Sequence, residues 1–257
     1  MPDKGTLKKV TQVGGGESQS TAREAKPFVA SGESKGKAKS LRLFAIISWI
    51  VAIGLEVGAI LLLRKPPIKM TWLIVLIVAD LIFAVIGSLL WKKSNRLDPA
   101  SEKEKVKFFI QNQLGVIISI IAFLPLVILI FTNKDMNGKQ KGIVGAIGVI
   151  ALLIAGATGI DFNPPSQEQY AQQTAQVEQL NDGVNHVFWT KSGTHYHIYS
   201  DCPYINTKRT DEIFSGTVAQ AKDLKNITEL CSFCESRVKK EKGLPAETAT
   251  AVETGEK

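Results

Sequence analysis

Hydrophobic and polar positions alternate along this chain in long blocks rather than at short periods. Four windows, 41–63, 72–91, 108–131 and 143–160, are apolar and nearly free of charge. A helix needs about 20 such residues to cross a bilayer, so the first three windows are long enough and the fourth is marginal. The expected fold class is an α-helical membrane protein, a four-helix transmembrane bundle, with a small α+β C-terminal domain. Trp72 and Trp91 stand at the two ends of the second window, where amphipathic rings favour the headgroup level. The first window starts too late and runs too long for a cleavable signal peptide.

The polar blocks divide the remainder. Residues 1–40 contain GGGESQS and SGESKGKAKS and too few apolar side chains to offset the entropy of ordering, so they read as a disordered cytoplasmic tail. Residues 241–257 read the same way. Between the second and third windows, Ser101 and Glu104 have the spacing of a capping box. Residues 161–183 read as a helical linker, with Tyr170, Thr174, Val177 and Leu180 as a weak stripe suited to a spacer. From 184 to 240 the pattern changes to short strand-like runs, VFWT and THYHI, around a Lys191-Ser192-Gly193 turn. A helix is expected from Ser215, as N-cap, to Leu224.

Charge changes the picture in two ways. Residues flanking the windows on the N-terminal side of the bundle carry fifteen Lys/Arg against six on the other, which places both termini in the cytoplasm of a multi-pass cell-membrane protein. No Lys or Arg follows the fourth window until Lys191, so that helix lacks a positive anchor of its own. The formal charge of +7 divides into +11 over residues 1–160 and −4 beyond. The basic excess is therefore topological, and it can also meet anionic headgroups. With no basic footprint in the C-terminal segment, nucleic acid is not an expected partner. A cytoplasmic protein partner is.

All three cysteines lie in the segment 184–240. Three cannot all pair, and a cytoplasmic domain is kept reduced. Cys231-x-x-Cys234 is the spacing that lets two thiolates grip one Zn²⁺, Cys202 supplies a third, and His197 the fourth ligand of a tetrahedron. His195 is a competitor, since residues two apart on a strand point the same way. A domain of about 55 residues with few large apolar groups needs such a staple. Four protein ligands fill the site, which marks structural rather than catalytic zinc.

Tyr196-His197, Asp201-Cys202, Ser215-Gly216-Thr217 with Ala221, and Cys231-Ser232-Phe233-Cys234 together resemble the small metal-binding module of Ada-type DNA repair proteins and of bacterial proteins carrying a related C-terminal domain. The resemblance covers residues 186–238 and implies zinc as cofactor. In the repair proteins four cysteines bind zinc and the first accepts a methyl group. His197 stands at that position, so methyl transfer is not expected here.

Inside the windows, Glu56 and Asp80 stand out, because ionisable groups in lipid are costly and often functional. Both fall some 10 to 12 Å below the same surface by helix rise. They form a candidate ion or proton site, and a small transporter or channel is the alternative to a membrane-anchored zinc scaffold or recognition protein. Gly54-x-x-x-Gly58 and the series Ala151, Ala155, Gly159 are small-residue ridges, suited to packing within the chain or to a homo-oligomer. Pro125 is expected to kink the third helix. No catalytic residue is expected: the chain shows no nucleophile and base pairing, phosphate loop or open metal site, so it does not read as an enzyme.

Overall fold

The computed structural model describes residues 10–12, 28–224 and 227–244, and within them the chain forms two units. One comprises residues 29–167 and the other residues up to 28 together with those from 168 onward.

The first unit is built on four helices: α1 (Gly32–Leu63), α2 (Met70–Leu97), α3 (Lys105–Thr132) and α4 (Gly138–Gly159). Each is long and apolar enough to cross a membrane. All extend beyond the apolar windows at one end or both, and the extensions include weak helix formers such as Gly32, Gly36, Ser94 and Gly142. α1 starts at Gly32, capped by Ser31, whose hydroxyl accepts the Ser34 N–H at 3.1 Å. The part of the expected disordered tail that is described is thus ordered, at 10–12 and in the first turns of α1. The other residues of 1–27, and 245–257, lie outside the described residues.

The expected box at Ser101 does not form. α3 begins only at Lys105, and the Ser101 hydroxyl accepts the nearer Lys103 N–H at 3.3 Å instead. A capping box does open α4, where Asn137 and Gln140 exchange bonds. Pro125 lies inside α3.

Exteriors of these helices are apolar and their interior carries polar groups. Leu43, Phe44, Ile46, Ile47 and Ile50 are exposed, while Ser48, Glu56, Asp80, Ser88, Asn95 and Asn112 are buried. Trp72 is exposed, but Trp91 turns inward onto Trp49 and donates its ring N–H to the Gln111 carbonyl at 2.7 Å. The ridge on α4 packs: a Cβ on Gly159 would come within 2.6 Å of the Gly115 backbone, so only glycine lets α3 and α4 approach this closely. The α1 ridge does not. Gly54 has no atom near its missing Cβ, Gly58 touches only Leu76, and α1 instead buries Ala52, Glu56 and Ala59.

The second unit joins α5 (Gln167–Leu180), β2 (Val187–Trp189), β3 (His195–Tyr196), β4 (Ile213–Gly216), α6 (Val218–Ala221), β5 (Glu229–Leu230) and α7 (Ser232–Glu241). One sheet has the order β1-β4-β2, where β1 is Val10–Gln12, and a second pairs β3 with β5 in parallel. The expected helix from Ser215 is shorter. Ser215 is the third residue of β4, and the N-cap is Thr217, in a capping box with Gln220. The stripe on α5 is no spacer either: Val177 and Leu180 join the core of Trp189, Tyr196, Ile205, Ile213 and Val238, and Tyr170 is buried against Phe28. A unit this small takes the apolar face of the preceding helix to enlarge its core.

Candidate metal centre

His197 follows a hairpin. Its N–H and carbonyl exchange 2.7 Å bonds with those of Phe188, so β2 holds its backbone through one antiparallel bridge. β3 also pairs with β5, with Tyr196 opposite Leu230. The next N–H, of Cys231, bonds the Tyr196 carbonyl at 2.9 Å and brings that thiol beside His197. Cys231 is the N-cap residue of α7, and Cys234 lies in its first turn. Residues three apart at a helix start share a face. Cys202 closes a tight turn, its N–H bonded to the Tyr199 carbonyl at 3.3 Å and its carbonyl accepting from Ile205 and Asn206.

These elements bring four ligand atoms together. One atom each from His197, Cys202, Cys231 and Cys234 lies within 4.8 Å of all the others, and all four residues are buried. No disulfide joins the three thiols. The Cys234 Sγ stands 3.6 Å from His197 Nδ1. In a tetrahedron with metal–sulfur and metal–nitrogen bonds of about 2.3 and 2.0 Å, ligand atoms stand roughly 3.5 to 3.8 Å apart. The separation fits two ligands of one shared ion.

Electrostatics around the cluster favours a cation. Burial, aided by neighbouring His195, pulls the His197 imidazole down to about 4, so it is neutral and able to coordinate at ordinary pH. Burial pushes the Cys202 thiol up to about 12 and raises Cys234 as well. Without a positive charge these thiols keep their protons. An ion that displaces the protons satisfies all four groups at once.

His195 does not join them. It stands opposite Glu229 in the β3–β5 pair and turns to that carboxylate, Nε2 to Oε1 at 3.3 Å. Asp201 lies beside the centre rather than in it. Arg237 of α7 donates to both Asp201 carboxylate oxygens at 3.0 and 3.1 Å, bonds Glu241 and lies 4.0 Å over the Tyr199 ring. It thereby ties the Cys202 turn to the helix bearing Cys234. Sequence reading missed Arg237, although its place three residues after Cys234 on a short amphipathic helix is a signal that could have found it.

The carboxyls of the bundle are also buried, Glu56 to 4% exposure and Asp80 to 0%. A Cβ on Gly87 would come within 2.4 Å of Trp49 Nε1, which fixes the antiparallel register of α1 and α2. Glu56 is seven residues after Trp49, and Asp80 is seven before Gly87. The two are therefore level. Glu56 Oε1 and both Asp80 oxygens have no hydrogen-bond partner among the described residues.

Comparison of the chain with protein-family models, with curated proteins and with solved structures finds no match.

Proposed function

We propose that this chain is a multi-pass membrane protein that presents a structural zinc module to the cytoplasm, where the module serves as a scaffold or recognition domain for a protein partner. The observation that carries this reading is the closed set of three sulfurs and one imidazole within 4.8 Å. Cys-rich tetrahedra of this kind suit Zn²⁺, and with every position taken by protein the ion has no place for substrate. His197, Cys202, Cys231 and Cys234 would hold it. The metal would supply folding energy to a unit whose own core is small. The resemblance to Ada-type modules agrees with zinc, and His197 in place of the acceptor cysteine argues against methyl transfer.

The membrane reading rests on four consecutive helices with apolar exteriors. β1 adds a topological argument. It pairs in register with β4, Val10 opposite Ile213, so the N-terminal segment and the module belong on the same side of a bilayer, as an even number of crossings requires. The missing anchor of the fourth helix is supplied from elsewhere: Lys92 of α2 donates its Nζ to the carbonyl of Ile160, at the end of α4. A cation at a helix C-terminus is favourable.

Metal analysis of the purified full chain tests the proposal. One zinc per chain is expected in the wild type and none in Cys231→Ser. A wild type without zinc would remove the reading.

A second reading, passage of a proton or cation, is favoured by the unpartnered oxygens of Glu56 and Asp80. Flux into vesicles containing the full chain should then fall in Glu56→Gln and Asp80→Asn. Flux unchanged in both variants would dismiss it.

A further inference from the structure

An open groove of about 940 Å³ lies between α1, α2 and the start of α3. Its wall is apolar in one direction and cationic in the other. Val106, Ile110 and Leu114 recur every four residues on α3 and line one face, about 12 Å long by helix rise. Trp91 forms part of the same lining. At the Val106 end stand Lys103, Lys105, Lys107 and Arg42, opposed in the lining by a single carboxylate, Glu104.

Two of these cations are already engaged. Lys107 pairs with Glu104 at 2.8 Å, and Arg42 pairs with Asp98 at 2.9 Å while lying 5.8 Å from the Trp91 ring centre. Lys103 and Lys105 have no anionic partner among the described residues. Arg42 Nε is buried and likewise lacks an acceptor. The groove therefore offers at its rim two lysines without an anionic partner, Lys103 and Lys105, and an apolar channel leading away from them. Its position matches that polarity. Arg42 is the second residue of the first apolar window, Trp91 closes the second and Phe108 opens the third, so the rim falls where all three would meet a membrane surface.

We propose that this groove binds one anionic phospholipid, with the headgroup phosphate at Lys103 and Lys105 and an acyl chain along Ile110 and Leu114. Zwitterionic lipid fits the channel equally well but leaves the rim uncompensated, and free phosphate fits the rim alone. The charge and the channel together select an anionic lipid. Each Lys or Arg near a membrane surface contributes about 1 kcal/mol toward anionic lipid, equivalent to roughly fivefold in affinity.

The proposal rests on the membrane reading above, and its test separates the two. Full chain is first expressed in cells and its membranes are washed at alkaline pH. Retention supports embedding, whereas release overturns both readings. Retained protein, purified in non-ionic detergent, is then titrated with phosphatidylglycerol or phosphatidylcholine and the bound lipid is counted by native mass spectrometry. One phosphatidylglycerol should bind at least about tenfold more tightly than phosphatidylcholine, on the per-cation scale above. Lys103→Gln/Lys105→Gln should abolish most of that preference and leave phosphatidylcholine binding unchanged. The same charge change at the opposite end of the bundle, Lys139→Gln/Lys141→Gln, should have no effect. Equal binding of the two lipids, an undiminished preference in Lys103→Gln/Lys105→Gln, or displacement of the lipid by millimolar inorganic phosphate would overturn the assignment.

Discussion

The two units of this protein solve opposite solvation problems. In the bundle the outside is apolar and the buried interior holds Ser48, Glu56, Asp80, Ser88 and Asn95. In the module the outside is polar, and the interior is a small apolar cluster in which three thiols and an imidazole occupy places that a larger domain would give to leucines. Lipid can accept the first arrangement, because every backbone group is bonded within its helix. Water accepts the second only if something compensates the thin core. The apolar exterior of the bundle suits a bilayer, and the clustered thiols and imidazole of the module suit an ion.

Metal removal should break the comparison most sharply. Chelation, or Cys231→Ser, should abolish the cooperative unfolding transition of the module and leave the helical circular dichroism of the bundle intact, because structural zinc contributes on the order of 10 kcal/mol to such domains. Loss of both transitions together would mean that the units do not differ in this way.

Acid should act on the module next. The folded imidazole of His197 titrates at about 4 rather than near its ordinary 6.5, so between those values the unfolded chain binds the proton more readily. The stability contributed by neutral His197 is complete above pH 6.5 and is lost as the pH falls toward 4, about 3 kcal/mol for this group. Thiolate protonation acts in the same direction by releasing the ion. Thermal melts from pH 7 to 4 should show the module transition falling earlier than that of the bundle.

A contact within the bundle comes third. Gly159→Val would drive a side chain into the Gly115 backbone and should cost about 2 kcal/mol, read as a lower unfolding temperature of the helices with metal content unchanged. The smallest effect is expected at Gly54, which faces no neighbour in this chain. Gly54→Ala should change stability by no more than about 1 kcal/mol. A larger loss, accompanied by a change in oligomeric state, would place a second copy against that face.

Blocks of apolar residues made the four helices legible, because 20 uncharged residues in succession have few other uses in a folded chain. Their true ends were not legible, since α1 runs through Gly32, Ser34, Gly36 and Ser40 and α2 through Ser94 and Asn95, residues that ordinarily weaken a helix. The ligand set was likewise legible as residue types and spacing. Its discrimination from His195 was not, because that depends on Glu229, a partner across β5 far away in sequence. Arg237 and Lys92 were missed, and the α5 stripe was read as a spacer, for one shared cause. Each acts on a residue far away in sequence: Asp201, the core of the module and Ile160. Long-range pairings of this kind leave no periodic trace. Gly54 and Gly58 show the converse, a local pattern that tertiary packing does not use within the chain.

X-ray absorption at the zinc edge of the purified full chain tests the central claim most directly, since it reads the ion and its neighbours together. The expected result is one zinc per chain with three sulfur scatterers at about 2.3 Å and one nitrogen at about 2.0 Å. A substoichiometric signal, or a shell of oxygen and nitrogen without sulfur, would contradict the account.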